Sequence, residues 1–388
     1  MKINKFAITA ALGLSLVSAC NADTIYLTGS TAMRSIVYAA IKAPGIVFQS
    51  APSTTLYDGG STGNNAGSGA NYMAFSGTLV GGSGTTIIQC HWSGSEGGIF
   101  DVCSNTTSQA TFMDPSLIDG TDHGTNKPAS TISAPVQLAM ADNSQAFSRT
   151  KLPVLNKGKA VGVITFEWVR NKGKFTGANV TDNMIRSALS AFCPLAVFTG
   201  NAADTDSYVY ASGRDDQSGT RVNALGTCGF GIFTIPSQIE MNNAGVMQQI
   251  NGDYAGDFGF TSGGTLGKTM GADTTSATDE VNGGNGYSVI AYLGVGDADT
   301  AVGAGATVLT YNGVPFSPAN VIEGTYTFWG NEYIYQANNV VASSEADKVY
   351  GFLSASTGIN AFCDGRKAIK LTDMHCTRSG PTTDPVHN

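Results

Sequence analysis

The sequence predicts an α/β protein, and three observations predict it. Runs that alternate in the manner of strands are followed by runs with apolar residues on one helical face. The junctions between them repeat one layout, a strand, a turn of glycine and hydroxyl residues, then a helix start, at "GSTAM", "GSEGG" and "GRDDQSGT". The 388 residues, 42% of them apolar, suffice for two lobes, each with its own core. No internal repeat with a convincing period is present.

Taken in order, "TIYLTG" (24–29) is the first predicted strand and "STAMRSIVYAAIKA" (30–43) the first predicted helix. Met33, Ile36, Val37, Ala40 and Ile41 fall on one face of that helix, and Ser30 or Thr31 can cap it. A Gly, Ser and Asn-rich stretch from Asp58 to Gly69 reads as a surface loop. "TTIIQCHW" (85–92) reads as a strand, "SGSEGG" (93–98) as a turn and "IFDVCS" as a short helix. Residues 104–133 read as an inserted loop, and "APVQLAMADNS" (134–144) as a strand ending in Asp142. "GKAVGVITFEWVR" (158–170) is a further strand and "TDNMIRSALSAF" (181–192) a capped amphipathic helix. The strand "SYVYAS" then leads into "GRDDQSGT" (213–220), and "RVNALGTCGF" continues as a short helix. That polar run therefore lies at a helix start, where exposed N–H groups and the helix dipole favour an anion.

Residues 251–287 are Gly-rich and carry no clear pattern. Within them "GGTLGKTMG" (263–271) approaches a nucleotide-binding loop, but the first glycine of that motif would fall at Ser262, so it reads as a loop. Strands return at "YSVIAYLGV" (287–295), "TVLTYNG" and "TYTFWGNEYIYQ" (325–336); a helix at 344–357 precedes a tail with two cysteines.

The N-terminus carries a secretory signature: "MKINK" with two lysines, the apolar run "FAITAALGLSLV", then the small residues "SAC". Residues 1–19 are accordingly set apart from the fold. No later stretch approaches the roughly 20 apolar residues of a spanning helix. Removing Lys2 and Lys5 with that segment moves the formal charge from -8 to -10, which argues against nucleic acid and anionic membrane as partners. Cys20, in "LVSAC", resembles the acylated cysteine of a bacterial lipobox; cleavage after Ala19 or Ala22 is the alternative. The other six cysteines suit an exported protein with disulfides. They allow 15 pairings, of which the nearest-neighbour scheme, Cys90 with Cys103, Cys193 with Cys228 and Cys363 with Cys376, is preferred. Metal binding is disfavoured, since there is no C-x-x-C and His91, His123, His375 and His387 form no paired spacing.

In their set and order, "GSTAM", "GSEGG", "MADNS" and "GRDDQSGT" resemble the extracytoplasmic phosphate-binding proteins of ABC transporters, which have the type II periplasmic binding-protein fold. "GVITFEWV" looks like that family's first crossover strand and "TYTFWGNEYIY" like its return strand, so the resemblance covers nearly all of the chain after its N-terminal segment. The Arg-x-Asp-x-Ser-Gly-Thr element is the specific one; the others gain force from their order.

The resemblance implies two lobes, residues 23–160 with 331–388 and residues 161–330, closing on a ligand held between them. It implies that Thr31 donates its hydroxyl and Ala32 its backbone N–H, that Ser95 does likewise, and that Asp142 accepts a proton from phosphate. Arg214 would give charge-assisted bonds with Asp216 orienting it, and Ser218, Gly219 and Thr220 would add donors. An acid at that place favours phosphate over sulfate, which has no proton to give. The chain departs from the family pattern at Ala32, Glu96 and Gln217; a carboxylate at 96 is unfavourable beside an anion unless it turns to solvent.

The expected function is thus solute binding, by a monomer working with an ABC permease, without cofactor, metal or catalysis. The alternative is a secreted surface or adhesive protein that reuses the fold. A phosphate-ester hydrolase would need a metal cluster or an activated nucleophile, and neither is legible.

Overall fold

Short apolar strands separated by amphipathic helices can bury both faces of a sheet only if the helices lie on both sides of it. The computed structural model, which describes residues 22–58, 69–104, 110–190 and 192–388, is built in this way. The first lobe contains β1 (Asp23–Gly29), β2 (Ser53–Tyr57), β3 (Tyr72–Gly77), β4 (Thr86–His91) and β5 (Leu138–Ala141), with α1 (Arg34–Lys42) and α2 (Ser95–Ser104). β1 runs parallel to β4 on one side and to β5 on the other. Such an order makes a topological switch, and ligands of α/β sheets bind beside the carboxyl ends of the strands at such a point.

β6 (Lys157–Arg170) joins the two lobes. Its first part, to Thr165, pairs antiparallel with β10 (Trp329–Gln336), and its last part, from Phe166, pairs with β8 (Ser288–Gly294). The second lobe adds α3 (Asp182–Ser190), β7 (Tyr208–Ser212), α4 (Gly219–Thr227), α5 (Gly263–Thr269), α6 (Val295–Ala304) and β9 (Thr307–Tyr311). The chain returns through β10 to α7 (Glu345–Ser354) and the short β11 (Ala368–Ile369), which pairs with β6 at the crossing. One apolar layer, with Ile36, Val37, Phe75, Trp168, Tyr292 and Phe328, runs across both lobes; separate layers fill the opposite faces under α2 and under α5 and α6.

Several expectations are corrected. α1 begins at Arg34 with Met33 at the cap position and no side-chain cap bond there, so Thr31 does not cap it. Ser30 Oγ accepts from the Met33 N–H at 3.4 Å, just ahead of the helix, while its hydroxyl donates to Asp142. The segment expected as an inserted loop holds a pair of short strands, Thr111–Met113 with Thr131–Ser133, and an edge pairing of Asp122–His123 with β2. The stretch 263–271 is not a loop: its small residues let α5 form and lie against α6. α6 itself went unread because its buried face is only Val295, Ala298 and Ala301, a weak apolar signal after a strong strand.

The disulfide scheme is also corrected. Cys90, Cys103, Cys193, Cys228, Cys363 and Cys376 are all buried free thiols. For Cys90 and Cys103 the reason is plain: β4 turns Cys90 into the layer on the α1 face, whereas Cys103 on α2 lies in the layer on the other face. Burial pushes the Cys103 thiol up to about 11 and that of Cys228 up to about 12. Residues 1–19, Cys20 and residues 59–68 of the expected surface loop lie outside the described residues. Among the described residues no helix is long and apolar enough to cross a membrane.

Candidate functional site

Three strand-to-helix junctions, at α1, α2 and α4, meet where the lobes face each other, together with the end of β5. Asp142 follows β5 directly and is 3% exposed. One carboxylate oxygen receives the Ser30 hydroxyl, the other the Thr220 hydroxyl at 3.3 Å, and its backbone N–H donates to Ser95 Oγ at 3.0 Å. Thr220 reaches it from the second lobe because α4 begins against the first. A Cβ on Gly219 would run into Ser95 Oγ and come within 2.9 Å of the Asp142 Cβ, so only glycine permits this approach. Ser218 caps α4, its hydroxyl accepting from the Arg221 N–H at 3.4 Å. The structure thus brings Ser95, Asp142, Gly219 and Thr220 into direct contact, with Ser218 beside them at the start of α4.

Beside this contact lies an open cavity of about 310 Å³. Thr31, Ala32 and Arg34 line it from the first lobe, Gly294, Gly296 and Asp297 from the second, and Lys367 from the returning chain. The backbone N–H groups of Thr31 and Ala32 have no hydrogen-bond partner among the described residues. Opposite them α6 starts at Gly294 without a side-chain cap, so its first N–H groups are also free of intrahelical partners. Ala32 Cβ would lie 3.8 Å from a Cβ on Gly294, which measures how near the lobes come.

Charge is concentrated here. Arg34 donates to Asn71 at 2.9 Å, and its buried Nε has no partner. Arg214, 3% exposed, donates from Nε to the Phe260 carbonyl and from Nη2 to that of Thr261, both at 2.9 Å. Its remaining nitrogen, Nη1, would lie 3.4 Å from a Cβ on Gly263, at a spot already filled by the Asp297 carboxylate. Burial raises the pKa of Asp297; Arg214, Arg34 and Lys367 pull it back, and Asp142 adds to the rise. Burial likewise lowers that of Arg34, with Asp297 opposing. Asp297 is thus the centre of a cluster of three cations and a second acid. The sequence reading missed Arg34, Asp297 and Lys367. Arg34 was legible as a cation one turn into the first helix, but α6 had to be recognised before Asp297 could be placed.

Two expected roles differ. Asp216 does not hold Arg214; it is half exposed and pairs with Arg149 at 2.8 Å, while carbonyl groups fix Arg214. Glu96 does not turn to solvent. It is 4% exposed and accepts from the Arg149 N–H at 2.7 Å, Asn143 Nδ2 at 2.8 Å and the Ser148 hydroxyl at 3.1 Å. Burial raises its pKa, and those bonds oppose the rise. The backbone N–H of Glu96 donates to the Gln217 carbonyl at 2.9 Å, so the start of α2 is closed by the second lobe.

Among the described residues no group of three or more His, Cys, Asp or Glu is placed to hold a metal ion. No protein-family model matches the chain. No curated protein matches it by sequence either. Solved structures do align with it over most of its length. One from Clostridium perfringens, given as a substrate-binding protein of a phosphate ABC transporter and solved with bound phosphate, shares 13% identity over 90% of this chain and 100% of its own, with a TM-score of 0.48. An ABC-type phosphate transport receptor from Vibrio cholerae shares 11% over 86% and 94%, with a TM-score of 0.43. PstS from Borrelia burgdorferi shares 14% over 90% and 98%, with a TM-score of 0.39. At such scores these likenesses carry no argument about ligand or partner. The strand order and the crossover strand give this chain two α/β lobes that share β6, with the cavity between them, as the motif order implies.

Proposed function

We propose that the chain is an extracytoplasmic solute-binding protein that captures inorganic phosphate between its lobes for uptake through an ABC permease. The observation that carries this reading is the convergence of free helix-start N–H groups from both lobes with Arg34 and Lys367 on one cleft, Arg214 lying beside the Asp297 that lines it. A tetraoxyanion needs many donors at little cost in net charge, and helix starts supply them. Thr31, Ala32 and the first turn of α6 donate from the two sides of the cavity. Ser95, Ser218, Gly219 and Thr220 complete the cage as the Thr220 hydroxyl turns from Asp142 to the ligand. Asp142 then accepts the proton that phosphate still carries. Arg214 supplies charge, and Asp216, with Arg149, tethers its loop to the first lobe. β6 and β10 serve as the hinge, and the lobes divide near residues 160 and 330. The protein binds as a monomer and makes no bonds; cleavage of the N-terminal segment, with or without acylation of Cys20, places it outside the cytoplasm.

Calorimetry of the mature chain with phosphate, sulfate and arsenate tests this. Phosphate and arsenate bind, and sulfate binds roughly hundredfold more weakly, the equivalent of about 3 kcal/mol for an unrelieved buried carboxylate. One observation favours a second reading, that of a surface protein which keeps the fold without tight phosphate binding. Ser95, Asp142, Gly219 and Thr220 already satisfy and fill one another's space. A folded chain that binds none of the three anions establishes this alternative.

A further inference from the structure

Glu332 lies on β10 and is entirely buried, at 0% exposure. It sits where β6 carries an extra residue: Glu332 pairs with Gly162 and Tyr333 with Ala160, so the regular alternation breaks beside it. Bulges of this kind re-aim a side chain. Both carboxyl oxygens of Glu332 are sealed from solvent and complete no hydrogen bond of ordinary geometry. β10 pairs antiparallel with β5, Tyr333 opposite Ala141 and Ile334 opposite Met140, so the same register brings Glu332 opposite Asp142; its carboxyl lies against that of Asp142 and beside the Ser30 hydroxyl. The titratable groups facing Glu332 are Asp142 at the end of β5, Cys363 beyond the turn Ile359–Phe362 and Tyr335 on its own strand, and none of these is a cation.

An ionised carboxylate in such a place would have neither water nor counter-charge, the one hydroxyl beside it donates to Asp142, and beside a second carboxylate it would meet repulsion as well. Two carboxyls in contact resolve this by holding one proton between them.

We propose that Glu332 is the proton-holding member of a buried carboxyl pair with Asp142, positioning Asp142 as the single charged acceptor of the cleft. This rests on the reading of Asp142 as the group that accepts the anion's proton. Glu332 touches no ligand; it acts through Asp142. While it stays neutral, Asp142 keeps one negative charge and its acceptor role. When the pair loses its remaining proton, two charges face the anion and binding falls, by about tenfold per pH unit for one coupled proton.

The test uses the whole mature chain in two measurements. Infrared spectroscopy at neutral pH reads the carbonyl stretch of a protonated carboxyl. Glu167 contributes a band of its own at this pH, so both proteins carry Glu167→Gln: with Glu332 present the chain still shows such a band, alkaline titration removes it, and adding Glu332→Gln removes it as well. Absence of that band with Glu332 present, or its persistence after Glu332→Gln, overturns the proposal, and the titration of the Glu332-containing chain decides this even if the second variant fails to fold. The second measurement is phosphate affinity against pH. Glu332→Gln, which mimics the neutral acid, binds like the wild type at neutral pH and keeps its affinity beyond the pH at which the wild type declines. Superimposable pH profiles overturn the positioning role. A Glu332-containing chain that shows the band and binds no phosphate overturns the ligand reading and with it that role, while the infrared result still fixes the proton.

Discussion

Arg214 uses its guanidinium twice, on two backbone carbonyls and beside the Asp297 carboxylate. Two of its donors hold the carbonyls of Phe260 and Thr261, which fasten the segment before α5, and the third nitrogen is left near Asp297. A lysine offers one compact ammonium in place of this fork and cannot satisfy both carbonyls. Arg214→Lys should therefore lower phosphate affinity by roughly hundredfold or more and stability by about 1–2 kcal/mol, read by calorimetry and by urea unfolding. Unchanged affinity in a folded variant would remove Arg214 from the site. Glu96 teaches the complementary lesson: a carboxylate in the anion-facing turn is tolerated because three donors from residues 143–149 hold it away.

Among the elements, β6 has the most to reconcile, because one strand belongs to both lobes. At its crossing Thr165 is tied to the carbonyls of Arg366 and Lys367, which anchors the segment bearing the cleft lysine. Two residues on, Glu167 is buried with one carboxyl oxygen unpaired, while the nearby Arg366 is taken by Asp299 in a two-pronged pair at 2.5 and 2.8 Å. Burial pushes the Glu167 carboxyl up to about 7, Arg366 opposing and Asp299 adding to the rise. Below its ordinary value of 4.5 the group is protonated in both folded and unfolded chains. As the pH rises from there to about 7, only the unfolded chain releases the proton, so the folded state loses stability, in total by about 3 kcal/mol. Glu167→Gln should abolish that loss, leaving the variant more stable than the wild type at pH 8 and comparable near pH 4. Parallel urea-unfolding curves at both pH values would show that Glu167 carries no such penalty.

For the whole molecule, the relation between the lobes is set by close backbone approach more than by charge. The Arg149–Asp216 pair crosses between them but is half exposed, and such pairs contribute under about 1 kcal/mol. Gly219 matters more, because α4 can start against Ser95 and Asp142 only without a side chain. Gly219→Ala should hold the lobes apart, increase the radius of gyration seen by small-angle scattering and weaken phosphate binding by about tenfold or more, since closure assembles the cage. A variant with unchanged scattering and affinity would place the closing contact elsewhere.

Much of this was legible in order along the chain. The strands at 24–29, 85–92, 158–170 and 287–295 declared themselves through apolar alternation, and the paired turns at residues 30–32, 95 and 218–220 through glycine and hydroxyl chemistry at helix starts. Pattern reading failed where the signal was weak or was not local. The alanine face of α6 hid Asp297, the spacing of cysteines suggested a Cys90–Cys103 bond that the two faces of a sheet keep apart, and Asp216 was matched to its neighbour in sequence when its partner is Arg149. The sequence by itself determined the α/β class, the succession of elements and the junctions at which an anion is favoured, because these follow from periodicity and local turn chemistry. Only the tertiary structure decided which charges meet, that Asp297 and Glu332 join Asp142, and that the lobes touch at Gly219. Burial and long-range proximity are properties of packing, and no local pattern encodes them.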